Sequence, residues 1–161
     1  MSDATVALKR TPFHAIHVAA GAKMVSFAGF EMPIQYPSGI TAEHNAVRKA
    51  CGVFDVSHMG EFIVKGPQAT DFVSYVTTND VAALQVGQVH YSAILTEQGT
   101  FVDDCLVYRY APDHLMMVVN GSNKDKDLAH ISRYKGKFDC TLEDVSDDIG
   151  LLAVQGPQAQ E

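Results

Sequence analysis

Between Tyr91 and Asn120 the chain holds three strand-like runs separated only by tight turns. Tyr91 to Leu95 and Phe101 to Tyr110 flank Glu97-Gln98-Gly99, and His114 to Asn120 follows Ala111-Pro112-Asp113. Strands joined by turns this short run antiparallel, because a parallel crossover needs a dozen or more residues. Upstream, Glu61 to Lys65 reads as a strand, and Gly66-Pro67 opens a helix to about Thr78 with Phe72, Val73 and Val76 on one face. Downstream, Ser122-Asn123-Lys124-Asp125 matches a capping box with Asp in place of Glu. The helix it starts runs to about Tyr134 with Leu128 and Ile131 inward, and Phe138 to Val145 supplies a fifth strand. The order β-α-β-β-β-α-β predicts an α+β fold, mostly antiparallel, with helices on one face. That is close to the ferredoxin-like plan with an added strand.

Before this unit the grammar is different. Thr11 and Pro12 predict a helix N-terminus, with the helix running to about Ala20 and stopping at Gly21. Met24 to Gly39, broken by Gly29, Pro33 and Pro37, reads as an ordered loop with at most short strands. Thr41 is expected to cap a second helix that ends at Gly52. A short echo links the two ends of the chain: Lys65-Gly66-Pro67-Gln68-Ala69 recurs as Gln155-Gly156-Pro157-Gln158-Ala159, each after an apolar run. The second copy stops too soon to form a helix, which suggests the front part of a longer protein. The expected organisation is residues 1–54 as part of a larger, incomplete domain, 55–147 as the ferredoxin-like unit, and 148–161 as the start of the next βα unit.

Composition narrows the function classes. The 161 residues are 47% hydrophobic and 19% charged, which is globular and not disordered. The formal charge of −7 argues against a nucleic-acid backbone as main partner. No apolar run approaches the ~20 residues of a membrane helix. Cys51, Cys105 and Cys140 are scattered, which predicts neither a disulfide framework nor a Cys-rich zinc site, and a reducing cytosol is the simpler compartment. His14 and His17 stand i, i+3 without a third ligand nearby, and so are expected to be packing or surface histidines.

Several stretches together resemble a known family. These are Thr11-Pro12, Gly21 to Val25, Phe27 to Pro33, Gly52 to Gly60, Asp103-Asp104, Val119-Asn120 and the second Gly-Pro run, with Asp55 to Gly60 the most specific. From about Leu8 onward the chain is similar to the N-terminal part of the T-protein family of the glycine cleavage system, the aminomethyltransferases, whose members are about twice this length. The resemblance implies transfer of the methylene of an aminomethyl-lipoyl group, carried by the H-protein, to tetrahydrofolate with release of ammonia. It also implies part of a second folate-binding domain, a cytoplasmic enzyme of glycine catabolism and one-carbon metabolism, and no metal. A chain of this extent is expected to lack turnover by itself and to self-associate through Leu151 to Val154. The alternative readings are the folate domain of a dimethylglycine- or sarcosine-oxidising enzyme, which shares the fold, and a non-transferase folate-binding relative in iron–sulfur assembly.

The resemblance also nominates residues. By strand alternation Val102, Asp104, Leu106 and Tyr108 share one face. From residue type alone, Asp103 and Asp104 could equally be solvated turn aspartates. Asp104, and not Asp103, aligns with the family's pterin-contacting acid and is the expected catalytic residue. Asn120 aligns with a partner of the pterin edge, where an amide can donate and accept. Met59, Tyr91 and Tyr108 align with folate-pocket positions, a polarizable thioether and two aromatic rings. His58 is expected to be structural, hydrogen-bonded to backbone. The run Asn123 to Asp127 reads as a solvated helix face.

Overall fold

In the computed structural model, which describes residues 7–160, the elements follow the order α1 (His14–Ala19), β1 (Lys23–Phe27), β2 (Phe30–Gln35), α2 (Ile40–Lys49), β3 (Gly52–Asp55), β4 (Gly60–Lys65), α3 (Ala69–Val76), β5 (Val89–Leu95), β6 (Phe101–Ala111), β7 (His114–Val119), α4 (Lys124–Lys135), β8 (Thr141–Asp144) and β9 (Leu152–Gln155). They fall into two compact units: residues 59–149, and residues 7–58 together with 150–160. The fold is α+β.

The 59–149 unit is β-α-β-β-β-α-β, with every strand antiparallel to its neighbours in the order β5-β6-β7-β4-β8. Without β5 this is the ferredoxin-like arrangement, and β5 is the added edge strand. One face of the sheet carries Phe62, Val64, Ile94, Cys105, Val107, Leu115, Met117 and Val119, all buried in one core with Phe72, Val73 and Val76 of α3 and Ile131 of α4. Each such aliphatic or aromatic side chain contributes roughly 1.5–3 kcal/mol by leaving water.

The helix starts differ from expectation in each case, because backbone contacts decide them. Helix α1 begins at His14, with Phe13 as N-cap and no side-chain cap; Thr11 is buried and its carbonyl accepts from His14 N at 3.1 Å. Helix α2 starts at Ile40 behind Gly39 at φ +83°, so Thr41 lies inside it. Helix α4 is preceded by Asn123 without a side-chain cap bond; its amide is engaged elsewhere, donating to Asp103 at 3.1 Å. The fifth strand is shorter than expected, Thr141–Asp144.

One refinement and one correction concern the other unit. Within 24–39, expected as an ordered loop with at most short strands, the short strands β1 and β2 pair as a hairpin, Phe27 opposite Phe30, turning through Ala28 at φ +49° and Gly29 at φ +83°. Two successive left-handed residues make the type I′ turn that matches strand twist, and Ala28 is an unusual residue for the first of them. Pro33 is tolerated within β2 because a two-stranded sheet leaves one edge of each strand without a ladder. Strand β9, expected to need partners from outside, pairs antiparallel with β3, Val53 opposite Val154 and Asp55 opposite Leu152. Val53, Phe54, Leu152 and Val154 remain exposed.

The Gly-Pro echo is a repeat of geometry as well as of letters. Gly66 and Gly156 have φ of +133° and +135°. Gln68 N donates to Asp139 O at 3.1 Å, and Gln158 N to Ala50 O at 3.0 Å; each acceptor immediately precedes a cysteine, Cys140 or Cys51. In both places the strand before the glycine pairs with the strand after that cysteine, Lys65 with Thr141 and Gln155 with Gly52. A Cβ on Gly66 would come within 2.8 Å of Asp139 O, and one on Gly156 within 2.9 Å of Cys51 Cα, so both backbones come too close to admit a side chain.

Candidate functional site

The register sorts the nominated residues onto one face. On β6 the residues that alternate away from the core are Asp104, Leu106 and Tyr108; Val102, expected on the same face, packs against the core, because the register shifts where Leu95 lies opposite Phe101 and Ile94 opposite Asp103. On β5, Tyr91 lies opposite Leu106 and Ala93 opposite Asp104. Gly60 pairs with Val119, which pairs with Cys105, so the residues one step further along the three strands, Met59, Asn120 and Asp104, continue as a row at one end of the sheet. The sheet face free of α3 and α4 therefore presents Tyr91, Asp104 and Tyr108, with Asn120 and Met59 at its rim. Tyr91 is 70% exposed and Asp104 is exposed, while Tyr108, Asn120 and Met59 are half-buried. Burial, with Tyr110 and Tyr91 close by, pushes the Tyr108 phenol up from its ordinary range.

One hydrogen-bond network ties Asn120 and Asp104 of this row to Asp103 and Asn123. Asn120 Nδ2 donates to Asp104 Oδ1 at 2.8 Å and to Asp103 Oδ1 at 3.1 Å. Asn123 Nδ2 donates to Asp103 Oδ2 at 3.1 Å. Asp103 is 5% exposed, so it is no solvated turn residue; it points to the helix-covered side of the sheet. Burial alone would raise its carboxyl, but the donors from Asp127, Asn123 and Asn120 hold it below the usual carboxylate range. Both protons of the Asn120 amide are thereby committed to carboxylates, and its side-chain carbonyl oxygen has no hydrogen-bond partner among the described residues.

Two carboxylates were not nominated from sequence. Glu61 shares the helix-free face with Ile63, is fully buried, and has no hydrogen-bond partner for either oxygen among the described residues. Burial, reinforced by Asp144 and opposed by Lys124, pushes its carboxyl up to about 7. Asp127 on α4 is also fully buried and pushed up to about 7, by burial and then by Asp103. The signal for Asp127 was present: it stands four residues before Ile131, on the same buried helix stripe. The solvated-face reading holds for its neighbour Lys126, whose ammonium is half exposed, but fails for Asp127.

The Asp55 to Gly60 block is accounted for by local contacts in the other unit and by one close approach. Asp55 Oδ1 accepts from Ser57 N at 2.9 Å, and its Oδ2 meets His17 Nε2 at 2.9 Å, with His17 Nδ1 on Tyr36 Oη at 2.8 Å. Burial would raise the Asp55 carboxyl, but Thr11, His17 and Ser57 pull it below its ordinary value. Ser57 Oγ accepts from Leu151 N at 3.0 Å. His58 is not held by backbone: it packs edge-on against Phe27 and Phe30, and its Nδ1 is buried without a partner among the described residues. A Cβ on Gly60 would lie 2.8 Å from Val119 Cγ2 and 2.6 Å from Lys124 Cγ. His14 and His17 are both engaged, His14 by Glu31 at 2.8 Å. Among the described residues no group of three or more His, Cys, Asp or Glu is placed to hold a metal, and no helix is long and apolar enough to cross a membrane.

Known proteins similar to this chain in sequence and fold share a function name. An aminomethyltransferase of Deinococcus deserti is 52% identical over 155 residues, covering 96% of this chain and 43% of that protein. One of Chloroherpeton thalassium is 51% identical over 153 residues, covering 95% of this chain and 42% of that protein. The crystal structure of the glycine cleavage system aminomethyltransferase T from Bartonella henselae superimposes with a TM-score of 0.89 at 40% identity, covering 95% of this chain and 42% of that one. The chain thus spans less than half the length of the relatives it matches. The sequence profile of the GCVT N-terminal domain matches residues 13–161, and the chain belongs to that family of the glycine cleavage aminomethyltransferases.

Proposed function

We propose that this chain provides the pterin side of a tetrahydrofolate-dependent aminomethyltransferase, with a lipoylated H-protein as the donor of the aminomethyl group. The observation that carries this reading is the convergence of Met59, Tyr91, Asp104, Tyr108 and Asn120 on one sheet face, in a chain about half identical to aminomethyltransferases. In the reaction the pterin N5 bonds to the methylene carbon as the bond to the lipoyl sulfur breaks, the N5 proton ending on that sulfur; the folate N10, outside the pterin, then bonds to the same carbon as the C–N bond breaks, and its proton leaves with ammonia. Positive charge builds on N5 and the methylene in these steps. Asp104, exposed on the open face, stabilises that charge. A preorganised group of this kind is worth about 10²-fold in rate or more. Asn120 presents its carbonyl oxygen to the N–H groups of the pterin edge, and Met59, Tyr91 and Tyr108 supply apolar and aromatic surface to the rings. The exposed Val53, Leu152 and Val154 give copies of the chain an apolar surface through which to associate at high concentration.

The reading is tested in a chimera in which this chain replaces the matching part of the Deinococcus deserti aminomethyltransferase. Asp104→Asn should lower kcat about 10²-fold with little change in folate affinity. Unchanged turnover would remove Asp104 from the chemistry.

A further inference from the structure

Asp103 and Asp127 are both buried and both bonded to Asn123, whose Nδ2 donates to Asp103 Oδ2 at 3.1 Å and whose carbonyl accepts from Asp127 N at 2.9 Å, so the two carboxyls lie beside one another between β6 and α4. Asp127 has no hydrogen-bond donor among the described residues; the ammonium of Lys126 lies 3.7 Å away, beyond hydrogen-bond length. Two ionised carboxylates are acceptors only and cannot bond to one another. A single proton between them converts the contact into a hydrogen bond and removes one buried charge. Asp103 then carries the remaining charge, spread over donors from Asn120 and Asn123. Asn120 in turn reaches through the end of the sheet to Asp104.

We propose that Asp127 is a positioning residue: it shares one proton with Asp103 and, through Asp103, holds the Asn120 amide with its NH2 group on the two aspartates and its carbonyl oxygen free for a ligand. The consequence for a ligand rests on the pterin-site reading above; the shared proton does not. The geometry explains why a carboxyl sits on the buried stripe of α4, where an apolar residue would pack at no electrostatic cost. The raised carboxyl of Asp127 and the lowered one of Asp103 agree with one proton held by the pair and placed on Asp127. The other titratable or charged groups around Asp127 are Asp104 and Cys105 on β6 and Lys126 and His130 on its own helix. From β8, Asp144 is held by Lys124 at 3.0 Å, and from α3, Tyr75 stacks on Tyr134. His130 bonds to Leu95 O at 3.0 Å.

The test uses the intact chain. Carboxyl carbon shifts of Asp103 and Asp127, and the side-chain NH2 resonances of Asn120, are followed by NMR from pH 4.5 to 9. The expected result is one proton lost by the pair near neutral pH, with the Asn120 NH2 signals moving at the same midpoint. Full ionisation of both aspartates from pH 5 upward, or an Asn120 amide indifferent to the titration, would overturn the proposal. Tetrahydrofolate binding is then measured across the same range. Asp127→Asn, which donates as the protonated acid does, should keep the low-pH affinity of the parent and lose any neutral-pH step. Asp127→Ala should weaken binding at least fivefold. Equal affinities for both variants would also overturn it. Should Asp127→Ala fail to fold, the Asn variant and the NMR titration decide the matter. Should the parent bind no folate, the pterin-site reading falls, and the NMR titration still decides whether the proton is shared.

Discussion

The two faces of the five-stranded sheet are built from the same strands but use their residues in different ways. Toward α3 and α4 the strands present Phe62, Val64, Val107, Leu115 and Met117, which are fully buried. Toward the other side they present Tyr91, Asp104, Tyr108 and Glu61, which combine exposed aromatic, exposed acidic and buried acidic groups. A face made only to be covered would not retain an unpartnered carboxyl such as Glu61 at its first strand. The contrast teaches that the parity of a residue along its strand separates the packed core from the face we propose as the pterin site.

That separation can be broken by experiment. Phe62→Ala should cost about 3–5 kcal/mol of stability, the largest effect expected, because a fully buried ring leaves a cavity. Thermal or urea unfolding of the intact chain reads it. Asp104→Asn, on the opposite face, should leave stability within about 0.5 kcal/mol while removing about 3 kcal/mol of transition-state stabilisation in the chimera. A large loss of stability would mean that Asp104 belongs to the scaffold. Glu61 sharpens the comparison through pH. Its carboxyl is raised to about 7 in the folded protein, so the folded state keeps a proton that the unfolded chain has already lost above about pH 4. Stability therefore falls as pH rises from about 4 to 7, and is flat beyond. Glu61→Gln should be neutral at pH 4 and stabilising by about 1–3 kcal/mol at pH 8. A gain equal at both pH values would contradict a protonated Glu61. Tyr91→Ala should have the smallest effect on stability, below about 0.5 kcal/mol, with its influence confined to folate binding.

Strand parity was the part of the site most legible in the sequence. The alternation that groups Asp104, Leu106 and Tyr108 needs no tertiary information, and the short turns fix three neighbouring strands; Val102 falls out of the group because the register shifts beside it. What escaped depends on distant partners or on backbone geometry that the residue type does not announce. The β1–β2 hairpin turns on Ala28 at positive φ, where Asn, Asp or Gly would have flagged it. The pairing of β3 with β9 joins segments from opposite ends of the chain. Asp103 looked like a solvated partner of Asp104, because its burial is created by α4, a helix that arrives 20 residues later at Asn123. Glu61 and Asp127 escaped because charged letters in short apolar runs are read as solvent-facing unless their helix or strand phase is followed through.

The hydrogen bond from Glu61 N to Ser146 Oγ at 2.9 Å, beside that from Val145 N to Glu61 O at 2.9 Å, also bears on folding order. These bonds pin the first strand of the 59–149 unit to its last segment, so completing that unit brings residues 58 and 150 together. The other unit is discontinuous and must join β3 to β9 across the whole of this insertion. Closing so long a loop in an unfolded chain carries an entropic penalty that rises by about 0.6 kcal/mol with each doubling of loop length. Once the insertion has folded, most of that closure is already made. The contiguous unit should therefore form early and hold the two halves of the split unit close enough for β3 and β9 to pair. A destabilising change such as Phe62→Ala would then slow the maturation of β3 and β9 as well as that of its own core.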